Sequence, residues 1–238
     1  MVNPRILTII PAHNEADSLA RVIAEVRAAV AKADIVVVDD GSWDATAAIA
    51  LAAGAELLRL PFNLGIGSAM QTGFKFASRE GYDIAVQVDG DGQHDASYIP
   101  VLLEAVMKGD CDMALGSRYL NSGSYGGPAG RRWGTALFSR ILSLMLGQKM
   151  TDATSGFRAI NRPLIEQFAR DYPRDYPEVE ALLAAHMARR RIREVPVDMR
   201  QRGGGRSSIG SFRSVYYMVK VLLALLVTAT RGRAPQAD

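Results

Sequence analysis

Asp89-Gly90-Asp91-Gly92-Gln93-His94 sets two carboxylates and a primary amide at alternate positions directly after the apolar run Ile84-Ala85-Val86-Gln87-Val88. Residues i, i+2 and i+4 of an extended segment project the same way. Asp89, Asp91 and Gln93 can therefore converge on one ion, and the glycines between them leave room for a diphosphate to approach. An all-oxygen set with a single His nearby and no Cys suits Mg²⁺ or Mn²⁺ better than zinc. A calcium EF-hand does not fit: counting from Asp89, His94 falls where the sharp-turn glycine belongs and Pro100 where the bidentate glutamate belongs. Taken alone, two Asp around a Gly make a turn as readily as a metal site, so the other motifs decide.

Pro11-Ala12-His13-Asn14-Glu15 and Val38-Asp39-Asp40-Gly41-Ser42 each end an apolar β-branched run. If those runs are adjacent parallel strands, both motifs face one crevice in which Asp40 or Glu15 can accept hydrogen bonds from a base or a ribose. Asp39-Asp40 with Ser42 could equally begin a helix. Asn63-Leu64-Gly65-Ile66-Gly67-Ser68 opens a helical stretch and can bring backbone N–H groups, Gly67 among them, near phosphate. It is no dinucleotide fingerprint, because Met70 stands where a third Gly is wanted and PAHNE, not a Gly-rich turn, follows the first strand.

The elements that must position these groups alternate. Strands are expected at Ile6–Ile10, Ile35–Val38, Ala55–Leu60, a run ending at Asp89, and Asp112–Leu115. Helices fall between them: one with the stripe Leu19, Val22, Ile23, Val26, Val30, one from Ala45 closed by Gly54, one over Ile66–Ser78, and one after Asp95. This is an α/β pattern, implying a mostly parallel, Rossmann-like sheet with helices on both faces and ligands at the strand carboxyl ends. After Ser117 come a Gly-rich loop (Asn121–Gly130), an apolar helix (Arg131–Leu146), a short segment (Gly156–Ile160), a helix (Glu178–Arg190), a strand (Ile192–Met199), the Gly203-Gly204-Gly205 loop and a C-terminal helix. No linker separates the halves, so residues 1–210 read as a single domain, followed over 211–238 by an apolar helix and a disordered tail.

At 238 residues, 48% hydrophobic and 22% charged, the chain has ample material for a core. Cys111 is the only cysteine, which excludes an internal disulfide and suits a reducing, cytoplasmic setting. The net charge of +3 conceals a segregation: residues 1–117 carry 8 Lys and Arg against 16 Asp and Glu, residues 118–238 carry 20 against 9. The halves should meet different partners. Val215–Val227, 13 residues with Lys220 inside, is too short for a span of about 20 and could lie on a membrane without crossing it.

In order along the chain, PAHNE, VVVDDGS, NLGIGSAMQTG, VQVDGDGQHD, LGSR, DATSGFRAI and QRGGGRSS resemble family 2 glycosyltransferases of the GT-A fold, and within them the polyprenyl-phosphate (dolichol-phosphate) mannose and glucose synthases. The resemblance runs from Ile6 to about Ser208. It implies inverting transfer of a sugar from a nucleotide-diphosphate donor to a polyprenyl phosphate. Asp89, Asp91 and Gln93 then hold Mg²⁺ or Mn²⁺ against the diphosphate, with Asp91 also counted as catalytic. Pro11, Ala12, Asn14, Glu15, Asp40, Gly67, Asp89 and Gly90 receive the nucleotide. Arg118, Arg131, Arg202 and Ser155 receive the acceptor phosphate, for which the fork of arginine is apt. The family often has Lys where this chain has Ser208, a cation that Arg206 could replace.

Asp152 is the expected catalytic carboxylate if a proton must be removed. A phosphate monoester, with a second pKa near 6, hardly needs a base, whereas a sugar hydroxyl does. Glu178 and Glu180 are rival bases, although Glu178, just after Pro177, reads more simply as a partner of the helix dipole. The apolar helix and Val215–Val227, flanked by Arg and Lys, lead one to expect peripheral binding to the inner face of the plasma membrane. No nucleic-acid partner is expected. Two alternatives stay open: a saccharide or other hydroxyl acceptor, and a nucleotide-sugar-binding protein without turnover.

Overall fold

The computed structural model describes residues 4–120 and 139–200. Within them the order is β1 (Ile6–Ala12), α1 (Ala16–Ala29), β2 (Asp34–Asp39), α2 (Thr46–Ala52), β3 (Glu56–Arg59), α3 (Ile66–Arg79) and β4 (Ile84–Gln87). A 3₁₀ turn at Ala96–Tyr98 leads into α4 (Ile99–Met107) and β5 (Met113–Ser117). Then follow α5, helical over residues 139–146, β6 (Arg158–Asn161), α6 (Arg162–Arg170), α7 (Pro177–Met187) and β7 (Ile192–Pro196). Arg131, Arg202, Arg206, Ser208, the Asn121–Gly130 loop, the start of the apolar helix and everything beyond Arg200 lie outside the described residues.

The strands form one sheet in the order β3-β2-β1-β4-β6-β5-β7. The β1–β2, β2–β3, β1–β4 and β5–β7 pairs are parallel. β6 alone runs against its neighbours β4 and β5. Both faces are covered, which is why the strands read as continuous apolar runs. Leu7, Ile9, Val36 and Val38 enter the layer shared with α3, α5, α6 and α7, while Ile10, Ala12, Ile35 and Val37 enter the layer shared with α1, α2 and α4. The α1 stripe is buried at Leu19, Val22, Ile23 and Val26, whereas Val30 has left the helix as its cap residue.

Three features depart from the sequence reading. Helix α6 was not expected, although its start is written locally: the Asn161 side chain accepts the Leu164 N–H at 3.3 Å, Pro163 occupies the first turn, and Leu164, Ile165 and Phe168 are buried. Helix α7 ends at Met187, not Arg190, and Arg189 takes a left-handed conformation (φ 57°). Strand β7 ends at Pro196, after which Met199 pairs with His94, so the expected strand to Met199 changes partner part-way.

Phe74, Phe168 and Tyr172 pack with ring centroids 5.0 to 5.4 Å apart and fasten α3 to α6; each pair adds about 0.5–1.5 kcal/mol beyond area burial. Gly67 lies where a Cβ would stand 2.4 Å from the Pro173 carbonyl oxygen and 2.6 Å from the Arg174 Cα, so α3 starts hard against the α6–α7 connection. Among the described residues no helix is long and apolar enough to cross a membrane.

Candidate active site

Three motifs meet at the carboxyl ends of β1, β2 and β4 and are laced by backbone bonds. Asp40 N–H donates to the Ala12 carbonyl at 2.9 Å, and Gly90 N–H to the Pro11 carbonyl at 3.3 Å. Gly90 has no room for a side chain without crowding that same Pro11 carbonyl, at 3.2 Å from a Cβ. Asn14 turns the chain with φ 57° and donates its N–H to Ser42 Oγ at 2.9 Å; Glu15 N–H donates to Thr46 Oγ1 at 2.9 Å. Ser18 Oγ closes the ring by donating to the Gly90 carbonyl at 2.6 Å.

The two aspartates of β2 divide the work. Asp39, fully buried, accepts Ser42 N–H at 2.9 Å and lies 3.2 Å from the Arg59 guanidinium. Asp40 accepts Leu64 N–H at 2.7 Å and Gly65 N–H at 2.8 Å, so it fastens the β3–α3 loop with one lone pair on each oxygen while the others remain for a ligand. Neither caps α2, whose N-cap position is Ala45; Asp44, one residue earlier, accepts Thr46 N–H at 2.9 Å.

The acidic tip follows β4. Asp89 N–H donates to His94 Nδ1 at 3.1 Å, leaving the ring proton on Nε2, 3.6 Å from Asp89 Oδ2, and the buried imidazole stacks on Phe157 with centroids 4.8 Å apart. The Gln87 amide donates to Asp89 Oδ1 at 3.2 Å, and Asp91 Oδ1 accepts Gln93 N–H at 2.9 Å. The Asp89 side chain is 36% exposed. Among the described residues no group of three His, Cys, Asp or Glu is gathered for a metal; the donor set consists of two carboxylates and the Gln93 amide, all oxygens, which fits a hard cation. Arg200 N–H donates to the Gln93 carbonyl at 2.8 Å, so the chain after β7 props this loop.

Opposite lies the Asp152–Arg158 segment. It reaches the same edge because β6 is reversed and its amino end faces the crevice. Gly156 sits where a Cβ would be 3.2 Å from Asp89 Oδ2, so this segment touches the acidic tip. Sequence reasoning gave Asp152 and Arg118 separate tasks, but the structure pairs them. Arg118 Nε donates to Asp152 Oδ2 at 2.6 Å and Nη2 to Oδ1 at 2.7 Å, and Arg118 N–H also reaches Oδ2 at 3.1 Å. Asp152 is 0% exposed. Both carboxylate oxygens are thus engaged by the guanidinium in a bidentate pair. Ser155 is buried beside it, its Oγ accepting Phe157 N–H at 3.3 Å and its carbonyl accepting Arg158 Nη2 at 2.7 Å.

Two supporting residues were given no role of their own by the sequence: Glu194 lies outside every motif, and Arg158 closes the Thr154–Arg158 segment. Glu194 on β7 accepts Thr151 N–H at 2.9 Å and Asp152 N–H at 2.8 Å; burial pushes its carboxyl above the usual range. Arg158, 1% exposed, bonds the Ser155 carbonyl and, at 3.4 Å, the Glu178 carbonyl, while its Nε and Nη1 have no partner among the described residues. Glu178 is more than a dipole partner: burial raises its carboxyl, Arg158 pulls it down and Asp89 pushes it up, so all three share one electrostatic environment. Burial likewise raises Glu180.

The Glycosyl transferase family 2 model matches residues 8–168. The undecaprenyl-phosphate mannosyltransferase of Micrococcus luteus is 35% identical over 217 residues, covering 86% of this chain and 87% of its own. The polyprenol monophosphomannose synthase of Mycolicibacterium smegmatis is 35% identical over 170 residues, covering 68% and 64%. Glucosyl-3-phosphoglycerate synthase from Mycobacterium tuberculosis, solved with Mn²⁺, UDP and glucosyl-3-phosphoglycerate, superimposes with a TM-score of 0.72 at 21% identity over 95% of this chain and 80% of that one. With the sheet order, the acidic tip after β4 and these likenesses in agreement, the chain belongs to glycosyltransferase family 2 and is a glycosyltransferase of the GT-A fold.

Proposed function

We propose that this enzyme transfers a sugar, with inversion and with the help of Mg²⁺ or Mn²⁺, from a nucleotide-diphosphate sugar to a polyprenyl phosphate at a membrane surface. The observation that carries the reading is the approach of Gly156 to Asp89, which sets the acceptor-side segment against the acidic tip so that donor diphosphate and acceptor meet at one point. The printed activities of the two mannosyl-transferring relatives support the acceptor class.

In this reading Asp89, Asp91 and Gln93 hold the ion, which when bound neutralises charge growing on the leaving diphosphate. Pro11, Ala12, Asn14, Glu15, Asp40 and Gly90 orient the nucleoside, with the Gly67 turn near the phosphates. Arg118 and Ser155, with Arg131 and Arg202 assigned from sequence alone, orient the acceptor phosphate. A phosphate oxygen attacks the anomeric carbon on the face opposite the diphosphate; the new C–O bond forms as the old one breaks, and the electron pair leaves with the nucleoside diphosphate. Mostly dianionic at neutral pH, that phosphate needs no base, which accords with an Asp152 already committed to Arg118. The excess of Lys and Arg after residue 117 suits an anionic lipid surface.

A second reading, a hydroxyl acceptor, is favoured by Glu178, whose carboxyl is raised above the usual carboxylate range, chiefly by burial, in the electrostatic reach of Asp89, a direction that suits a general base. A panel of GDP- and UDP-sugars, given Mn²⁺ and either vesicles bearing polyprenyl phosphate or free saccharides, separates the two. Nucleoside diphosphate release that needs both Mn²⁺ and the lipid phosphate, on protein that sediments with the vesicles, is expected. Release with saccharides alone supports the second reading, and donor binding without release under any condition overturns both.

A further inference from the structure

We propose that Trp43 stacks on the nucleobase of the donor and thereby decides how strongly the crevice prefers a nucleoside diphosphate to bare diphosphate; the inference rests on the donor reading above. Trp43 follows β2 and is 83% exposed. Its ring meets His13 edge to face, centroids 5.1 Å apart at 87°. His13 is fixed from both sides. Its Nδ1 lies 2.8 Å from the Asp40 carbonyl oxygen, which can only accept, so Nδ1 carries the proton; Nε2 then accepts from Asn14 Nδ2 at 3.0 Å. Asn14 Oδ1 in turn accepts the Trp43 backbone N–H at 3.1 Å. The Trp43 backbone is thus tied to Asn14, the indole meets the His13 ring that Asn14 and Asp40 hold, and the two perpendicular rings form a corner with the indole open to solvent.

The apolar rim continues beyond Trp43. Phe62 is 62% exposed and Leu64 45% exposed, and both belong to the loop that Asp40 fastens and against which Gly41 packs. Clustered exposed apolar side chains of this size usually meet a ligand or a partner. A planar heterocycle, apolar on its faces and polar at its edge, fits a corner whose walls are aromatic and whose floor presents Asn14, Glu15 and Asp40. A lipid surface fits poorly, because Asp44 directly follows Trp43 and the half of the chain to which both belong carries 16 Asp and Glu against 8 Lys and Arg.

Binding of GDP, of UDP and of inorganic pyrophosphate, each with Mn²⁺, is measured by calorimetry for the unaltered protein, Trp43→Ala and Trp43→Phe. Trp43→Ala is expected to weaken both nucleoside diphosphates about tenfold or more while pyrophosphate affinity and the ligand-free melting temperature stay put, and Trp43→Phe to restore most of the loss. An equal loss for pyrophosphate, no loss for either nucleotide, or a fall in the ligand-free melting temperature, as expected if another part of the chain covers Trp43, overturns the proposal. Failure of the unaltered protein to bind any nucleoside diphosphate overturns the donor reading itself, whereas a Trp43→Ala protein that binds normally overturns only the role of Trp43.

Discussion

The two banks of the crevice, proposed above to take the donor and the acceptor, are built on different principles. On the donor bank, carboxylates hold loops by accepting backbone N–H groups, as the buried Asp40 does with Leu64 and Gly65 and Asp91 with Gln93. On the acceptor bank, charge is buried outright and answered by charge, in the Arg118–Asp152 pair and in Arg158 lying near Asp89 and Glu178. Acceptors bonded to backbone can lose one bond without stranding an ion; buried pairs cannot. The donor bank is therefore tolerant in stability and demanding in chemistry, while the acceptor bank is demanding in both.

That contrast can be broken most directly by removing one carboxylate from each side. Asp152→Ala, which strands the Arg118 guanidinium, should cost about 3–5 kcal/mol of unfolding free energy, whereas Asp91→Ala should cost no more than about 1.5 kcal/mol, both read from urea titrations. Equal costs would erase the distinction. The seam between the banks comes next: Gly67→Ala pushes a methyl into the Pro173–Arg174 backbone and should cost about 1–3 kcal/mol, with nucleoside diphosphate affinity falling if the α3 start serves the donor.

The smallest effect concerns pH. Glu178 is raised above its ordinary 4.5, chiefly by burial. Its protonated form is therefore favoured by folding, and the stability this brings is complete below 4.5 and lost as pH rises through the folded-state value. Glu178→Gln should then raise the melting temperature at neutral pH, and the gain should vanish as pH falls toward 4.5. A gain independent of pH would mean that the carboxylate is solvated.

Much of the donor bank was legible because each motif acts within a few residues of itself. The 3.6-residue stripe of α1, the Asp-x-Asp run after β4 and the PAHNE and DDGS turns are local statements, and the structure differs from them only at the edges, with Val30 capping α1 and β4 stopping at Gln87, two residues before Asp89. The acceptor bank was not legible for a corresponding reason. Arg118 meets Asp152 across 34 residues and Glu194 meets Asp152 across 42, and no local pattern records which buried charges will find each other. Arg158 followed a recognised Ser-Gly-Phe run, yet its burial depends on β6 entering the sheet backwards, which four residues of Arg-Ala-Ile-Asn do not announce. The missed α6 is different in kind, since Asn161 and Pro163 wrote its beginning in plain local terms.

The reversed β6 makes the crevice depend on a single strand register. Gln87 faces Arg158 on one side of that strand and Leu115 faces it on the other. Slipping the strand by a single position would turn Arg158 to the opposite face and carry Gly156 off Asp89. A slip of two positions would restore the face but still displace Gly156, so only one alignment of β6 builds the meeting point proposed above.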